Sequence, residues 1–173
     1  MRRVIESLNR SGLPYMLTGA LASSYYGRPR TTLDVDVVVA ATRKDLAMLA
    51  ETLKMAGLVT EEQRLKTAWR SQYRIATVED KKSPHTLDII FVDGTLERKA
   101  GSILGLPSFY QTPESLILAK LRMIKPTLNP ERAAIDREDI KAILKNTRVD
   151  LEDLRRRAKV QGTFEIMEDL IRE

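Results

Sequence analysis

Residues 34–40 read Asp-Val-Asp-Val-Val-Val-Ala, and this run constrains the fold more than any other segment. β-Branched side chains at 35, 37, 38 and 39 favour extended backbone. Successive side chains of a strand alternate between its faces, so Asp34 and Asp36 project together while Val35 and Val37 face the other way. One side is therefore suited to a packed core and the other to chemistry that needs two acids. A helix over roughly 43–56, capped by Thr42 and ended by Gly57, follows directly. Strand then helix points to an α/β architecture.

The rest of the chain agrees. Residues 2–10 carry apolar side chains at 4, 5 and 8, a short amphipathic helix that Gly12 and Pro14 end. Tyr15-Met16-Leu17 reads as a buried strand reaching Thr18-Gly19, and Ala20–Tyr26 as a helix closed by Gly27. Residues 72–78 and 86–92 read as two strands joined by a polar loop. Residues 58–71 and 95–110 carry mixed signals. From Thr112-Pro113, an N-cap with proline at the first helical position, the pattern is helical over about 113–125, 130–145, 150–160 and 163–172. Pro126 and Pro130 separate the first two of these helices. The expected fold is a small mixed sheet with flanking helices over 1–110, followed by a helical C-terminal part over 111–173.

Composition narrows the chemistry. The 173 residues include no cysteine and one histidine, His85. Thiolate zinc sites, disulfides and a cysteine nucleophile are excluded, as is a multi-histidine metal site. Any metal is held by carboxylate oxygen, which suits Mg²⁺ or Mn²⁺. A net charge of +5 and a pI of about 9.5 favour an anionic partner such as a nucleotide or nucleic acid. No run of 18 apolar residues and no leader-like start is present, so a cytoplasmic protein without membrane association is expected.

Two carboxylates on one strand face repel each other, and a divalent cation that bridges to phosphate relieves the repulsion. Upstream, Thr18, Gly19 and Ala20 lie where a strand turns into a helix. Free backbone N–H groups and the positive helix end make that junction a phosphate cradle, and glycine permits close approach. Asp88 interrupts the apolar strand 87–92, where an acid needs either a partner, such as Arg30 or Arg74, or a task. Arg28 and Arg30 precede the acidic strand, where a guanidinium can steady phosphate or simply face water. In the helical half, Lys120 shares a face with Leu116, Ile117, Leu121 and Ile124. Asp136 shares one with Ala133, Ile140, Ile143 and Leu144. Each charge lies on an apolar stripe, so the two either pair or line a cleft. Asp139 turns to a different face, where water or Arg132 would meet it. Arg155-Arg156-Arg157 with Lys159 is a basic helical run, solvated or facing a polynucleotide.

The segment Leu17-Thr18-Gly19-Ala20, continued by Gly27-Arg28-Pro29-Arg30-Thr31-Thr32-Leu33-Asp34-Val35-Asp36-Val37-Val38-Val39, resembles the nucleotidyltransferase motif of the DNA polymerase β superfamily. Its flavour is similar to the branch of AbiEii/AbiGii-type toxins. Gly19-Ala20 stands where many members have Gly-Ser, which removes a hydroxyl often aimed at phosphate. The resemblance implies a nucleotidyltransferase fold and a Mg²⁺- or Mn²⁺-dependent enzyme that moves a nucleoside monophosphate from a triphosphate to an acceptor hydroxyl. It implies Asp34, Asp36 and Asp88 as metal ligands or base. It also implies Lys120 and Arg30 on phosphate, and Asp136 as an orienting group or base. A tRNA acceptor and a protein antitoxin follow from the toxin-like branch. Transfer to a protein or to a small molecule such as an aminoglycoside, and a non-catalytic nucleotide-binding domain, are the competing readings.

Overall fold

The computed structural model describes residues 1–124 and 129–172, so Pro126, read above as part of a helix break, lies outside the described residues. Contacts divide the chain into two compact units, one of residues 1–21 and 31–111 and the other of residues 22–30 and 112–172.

The first unit is a mixed sheet with helices. In chain order it contains α1 (Arg2–Ser11), β1 (Tyr15–Leu17), the start of α2 (Gly19–Tyr26) and β2 (Asp34–Ala40). A 3-10 turn at Arg43–Asp45 leads into α3 (Leu46–Met55). Then follow β3 (Leu58–Val59), α4 (Glu62–Arg70), β4 (Ile75–Asp80), β5 (Thr86–Val92), β6 (Arg98–Ile103) and β7 (Leu106–Gln111). The seven strands form one sheet in the order β3-β4-β5-β2-β1-β7-β6. β2 runs parallel to β5 and β1 parallel to β7, and the other neighbours are antiparallel. Val35, Val37 and Val39 of β2 and Leu87, Ile89 and Phe91 of β5 are buried together with Ile5 and Leu8 of α1 and Leu46, Leu49 and Leu53 of α3. Burying these branched side chains is the main favourable term for the sheet.

Two stretches with mixed signals resolve for physical reasons. Within 58–71, β3 pairs with the end of β4 through Leu58 and Asp80, and α4 buries only Leu65 and Ala68. Two small contacts in nine residues give too weak a stripe to reveal a helix. Trp69 anchors α4 by donating its indole N–H to the Ala41 carbonyl at 3.0 Å. Within 95–110, β6 and β7 form a hairpin whose two turn residues, Leu104 and Gly105, have φ of 52° and 76°. Two successive positive φ angles match the twist of hairpin strands, but leucine rarely carries one, so the usual turn signal is missing. The helix expected over 43–56 begins with the 3-10 turn because Thr42 and Asp45 form a reciprocal cap, with the Asp45 carboxylate accepting from the Thr42 N–H and hydroxyl.

The second unit holds the rest of α2 with α5 (Pro113–Ile124), α6 (Pro130–Asn146), α7 (Leu151–Gln161) and α8 (Phe164–Arg172). Asn129 caps α6 and Asp150 caps α7 through side-chain oxygens, and Gly162 ends α7 in left-handed conformation. Leu116, Leu121, Ile140, Ile143, Leu154 and Met167 are fully buried. Residues 22–30 join this helical unit, although the sequence pattern alone groups them with the sheet. A Cβ on Gly27 would meet the Ala142 Cβ at 3.0 Å, and the Thr147 hydroxyl donates to the Tyr26 carbonyl at 2.6 Å. Such long-range contacts leave no trace in local periodicity. No helix among the described residues is long and apolar enough to cross a membrane.

Candidate active site

Asp34 and Asp36 stand at the start of β2 on the face opposite Val35, Val37 and Val39, with Asp34 exposed and Asp36 half-buried. The parallel register sets Asp88 of β5 beside Asp36, and Thr86 beside Asp34. Paired residues of neighbouring strands share a face, so the three carboxylates occupy one side of the sheet on strands about 4.8 Å apart. Hydroxyls answer two of them. Thr86 Oγ1 donates to Asp34 Oδ1 at 2.7 Å, and Thr77 Oγ1 of β4 donates to Asp88 Oδ1 at 2.6 Å. Neither Asp34 nor Asp88 forms an ion pair with a described residue. A hydroxyl orients a carboxylate without cancelling its charge.

The loop before β2 is tied into the same array. Thr32 Oγ1 accepts from the Asp34 N–H at 3.1 Å and His85 Nδ1 lies 2.9 Å from the Leu33 carbonyl. His85 thus braces the strand entrance.

The strand-to-helix junction fits against Asp36. The Thr18 N–H donates to the Asp36 carbonyl at 3.0 Å, and the chain then turns at Gly19 with φ 56°. A Cβ on Gly19 would lie 2.1 Å from Asp36 Oδ2 and 2.8 Å from its Cγ. Only glycine permits both the left-handed backbone and this approach. The Thr18 hydroxyl donates to Gln111 Oε1 at 2.5 Å, which leaves the backbone as its contribution to the junction, and Ala20 is buried.

Among the described residues no three histidine or acidic groups stand close enough to hold a metal as a preformed set. The donors present still fit a hard cation. Two carboxylates two residues apart on one strand match the way Mg²⁺ is bound, by one or two acids with phosphate and water completing the shell.

In the helical unit, Lys120 is 6% exposed, and its Nζ contacts Asp136 Oδ1 at 2.7 Å and Asp139 Oδ2 at 2.8 Å. Arg132 Nε reaches Asp136 Oδ2 at 3.3 Å, and an Arg30 guanidinium nitrogen reaches Asp139 Oδ2 at 3.3 Å. Three cations therefore surround two carboxylates, with one positive charge in excess. Asp139, expected on a separate face in water or with Arg132, is instead a buried member of this cluster. Residues 136 and 139 are i,i+3 neighbours on one helix surface, and one long lysine side chain spans both. That spacing was the available signal. Asp88 likewise takes neither arginine considered for it, since Arg30 pairs with Asp139 and Arg74 with Asp93.

The basic run on α7 is partly paired, its three arginines meeting two carboxylates. Arg155 pairs with Glu168, Arg156 and Arg157 both pair with Asp153, and Arg157 also donates to the Ser115 hydroxyl. Arg155 holds the Glu168 carboxyl below its ordinary range, and Arg156 with Arg157 does the same for Asp153.

No protein-family model and no curated protein matches the chain. Solved structures do. The chain is similar to the antibiotic-resistance factor ANT(2'')-Ia in solution, with a TM-score of 0.63 at 16% identity over 97% of this chain and 92% of that one. The same protein in complex with adenylyl-2''-tobramycin gives a TM-score of 0.65 at 15% identity, over 96% and 95% of the two chains. An antigenic nucleotidyltransferase-like protein from Paracoccidioides brasiliensis gives 0.53 at 16% identity over 82% and 72%. The fold is thus the nucleotidyltransferase fold.

Proposed function

We propose that this protein transfers a nucleoside monophosphate from a nucleoside triphosphate to an acceptor hydroxyl. The observation that carries the reading is the shared face of Asp34, Asp36 and Asp88, with Gly19 close against Asp36. Asp34 and Asp36 would hold Mg²⁺ or Mn²⁺, which when bound supplies charge neutralisation to the triphosphate. The Thr18 N–H is spent on the Asp36 carbonyl, so phosphate would meet the junction at Gly19–Ala20, where α2 begins. Asp88 has one oxygen engaged by Thr77 and the other available to take the proton from the acceptor hydroxyl. The oxygen of the acceptor hydroxyl, its proton taken by Asp88, would then bond to the α-phosphorus as the bond from that phosphorus to the pyrophosphate oxygen breaks. The resemblance drawn from sequence would give Lys120 and Arg30 to phosphate, but Lys120 is buried with its ammonium on Asp136 and Asp139, and Arg30 pairs with Asp139. Asp136, buried against Lys120, orients that lysine rather than accepting a proton.

A small polyhydroxylated acceptor is the reading favoured for the substrate. Pairing of Arg155, Arg156 and Arg157 with two carboxylates lowers the net positive charge that this helix would offer a tRNA backbone. The similar ANT(2'')-Ia structure holds adenylyl-2''-tobramycin, and the likeness spans nearly all of both chains. A tRNA acceptor with a protein antitoxin rests on the AbiEii-type resemblance, with the net charge of +5 and the basic run at 155–159 in favour of a polynucleotide.

The test is transfer of label from each of the four triphosphates, with Mg²⁺, to an aminoglycoside panel or to total tRNA. Label on an aminoglycoside is the expected result, lost by about three orders of magnitude in Asp36→Asn while the protein stays folded. Label on tRNA alone replaces the small-molecule reading with the toxin-like one. Triphosphate binding without transfer to either acceptor class refutes catalysis on them and favours a nucleotide-binding domain.

A further inference from the structure

The C-terminal end of α6, the start of α7 and the end of α8 line an open cavity of about 560 Å³. Its lining is chemically one-sided. Leu144, Val149, Leu151, Leu170 and Ile171 supply apolar surface, and the charged members are Lys141, Lys145 and Arg148. No described lining residue is acidic. The Lys145 and Arg148 side chains make no ion pair or hydrogen bond with any described residue. Leu151 is left 38% exposed.

A neighbouring cavity of about 460 Å³ sharpens the contrast, because it shares Lys141 and Lys145 but also contains Glu138 and Asp139. There Lys141 meets Glu138 at 3.4 Å and Arg30 meets Asp139 at 3.3 Å, so part of the positive charge is already answered. In the larger cavity no described residue answers Lys145 and Arg148. Cations over an apolar floor match one ligand chemistry, a body that prefers the floor and an acid that meets the cations. A volume of 560 Å³ accommodates a small organic molecule and lies within the usual range for ligand pockets.

We propose that this cavity binds an amphipathic organic anion, an aromatic or aliphatic body bearing one carboxylate or phosphate group. The proposal is independent of the nucleotidyltransferase reading and its test does not use turnover. The probe is 2-naphthoate, titrated into the intact protein by calorimetry and followed by NMR of the leucine and isoleucine methyl groups. Saturable binding is expected, with the largest shifts at Leu144, Leu151, Leu170 and Ile171. The neutral 2-naphthylmethanol should bind about tenfold more weakly, and inorganic phosphate alone should not shift these methyls. The Lys145→Gln/Arg148→Gln variant alters exposed side chains and should lower 2-naphthoate affinity at least tenfold with an unchanged far-UV spectrum. Ile171→Glu, which places a carboxylate in the lining, should abolish binding as an independent variant. Equal affinity for the acid and the alcohol, shifts confined to other methyls, or no saturation at millimolar probe overturns the proposal. Phosphate matching the naphthoate shifts would reassign the site to inorganic anions and overturn it equally.

Discussion

The protein handles carboxylates in two contrasting ways. On the sheet, Asp34 and Asp88 are held by the hydroxyls of Thr86 and Thr77 at 2.7 and 2.6 Å. In the helical unit, Asp136 and Asp139 are held by Lys120, Arg132 and Arg30. A neutral donor fixes the direction of an acid and leaves its charge to act on something else. A cation fixes the direction and consumes the charge. The first arrangement suits acids that must hold a metal or take a proton, and the second suits acids whose task is to place a lysine. Burial follows the same division, since Asp34 is exposed while Asp136 and Asp139 are 2% and 8% exposed.

The largest effect expected from this contrast is on stability, in the cluster built on ion pairs. Lys120→Met removes the cation common to Asp136 and Asp139 and leaves two buried acids short of compensation. A loss of about 3–5 kcal/mol in denaturant unfolding is expected, the usual result of breaking a buried pair from one side. Adding Asp136→Asn to that variant should recover part of the loss by removing one uncompensated charge. A change below about 1 kcal/mol in the single variant would show that Arg30 and Arg132 suffice, and the second arrangement would then need no lysine.

The sheet side was legible from sequence to an unusual degree because its signal is local. The alternation of Asp34, Val35, Asp36 and Val37 specifies a face without any tertiary information, and Asp88 stood out as the one acid in an apolar run. The helical side was legible only in part. Lys120 and Asp136 lie on apolar stripes and therefore had to pair or line a cleft, as the structure shows them paired. Asp139 is invisible to a single-face pattern, because a lysine of four methylenes reaches two neighbouring positions. The transfer of residues 22–30 to the helical unit was not legible at all. It depends on Gly27 against Ala142 and Thr147 on the Tyr26 carbonyl, contacts more than a hundred residues apart in sequence. Leu104 in a hairpin turn and the sparse stripe of α4 failed for a different reason, since local composition there contradicts the conformation adopted.

A smaller effect is expected from Gly19→Ala, which tests whether the sheet acids depend on geometry. The new Cβ would stand 2.1 Å from Asp36 Oδ2, on a backbone with φ 56°. The backbone strain costs about 1–3 kcal/mol, and either Asp36 or the turn must move. A displacement of about 1 Å in a positioned group lowers turnover about a hundredfold. Transfer assays and unfolding should therefore both report the change. Retention of full transfer with lowered stability would show that Asp36 does not need its present position.

The smallest effect carries the contrast between neutral and charged donors into acid stability. Asp80, in the sheet unit, is held below the ordinary carboxylate range first by the Lys82 N–H, then by the Ser83 hydroxyl and Arg3. Asp153, in the helical unit, is held low first by Arg156 and then by Arg157. Both have depressed values in the folded state, so the stability each contributes is present above its unfolded value, near pH 4, and is lost as pH falls through the lower folded value. Asp80→Asn and Asp153→Asn should each flatten the loss of stability in that acid window. Salt distinguishes them. Screening weakens a half-exposed guanidinium–carboxylate pair but does little to a hydrogen bond from a backbone N–H. Acid titrations of unfolding at low salt and at 1 M salt should therefore show the Asp153 contribution shrinking markedly, and the Asp80 contribution, led by the Lys82 N–H, shrinking less. Equal loss of both contributions in 1 M salt would mean that Arg3 dominates at Asp80, and that the two units stabilise their acids in the same way.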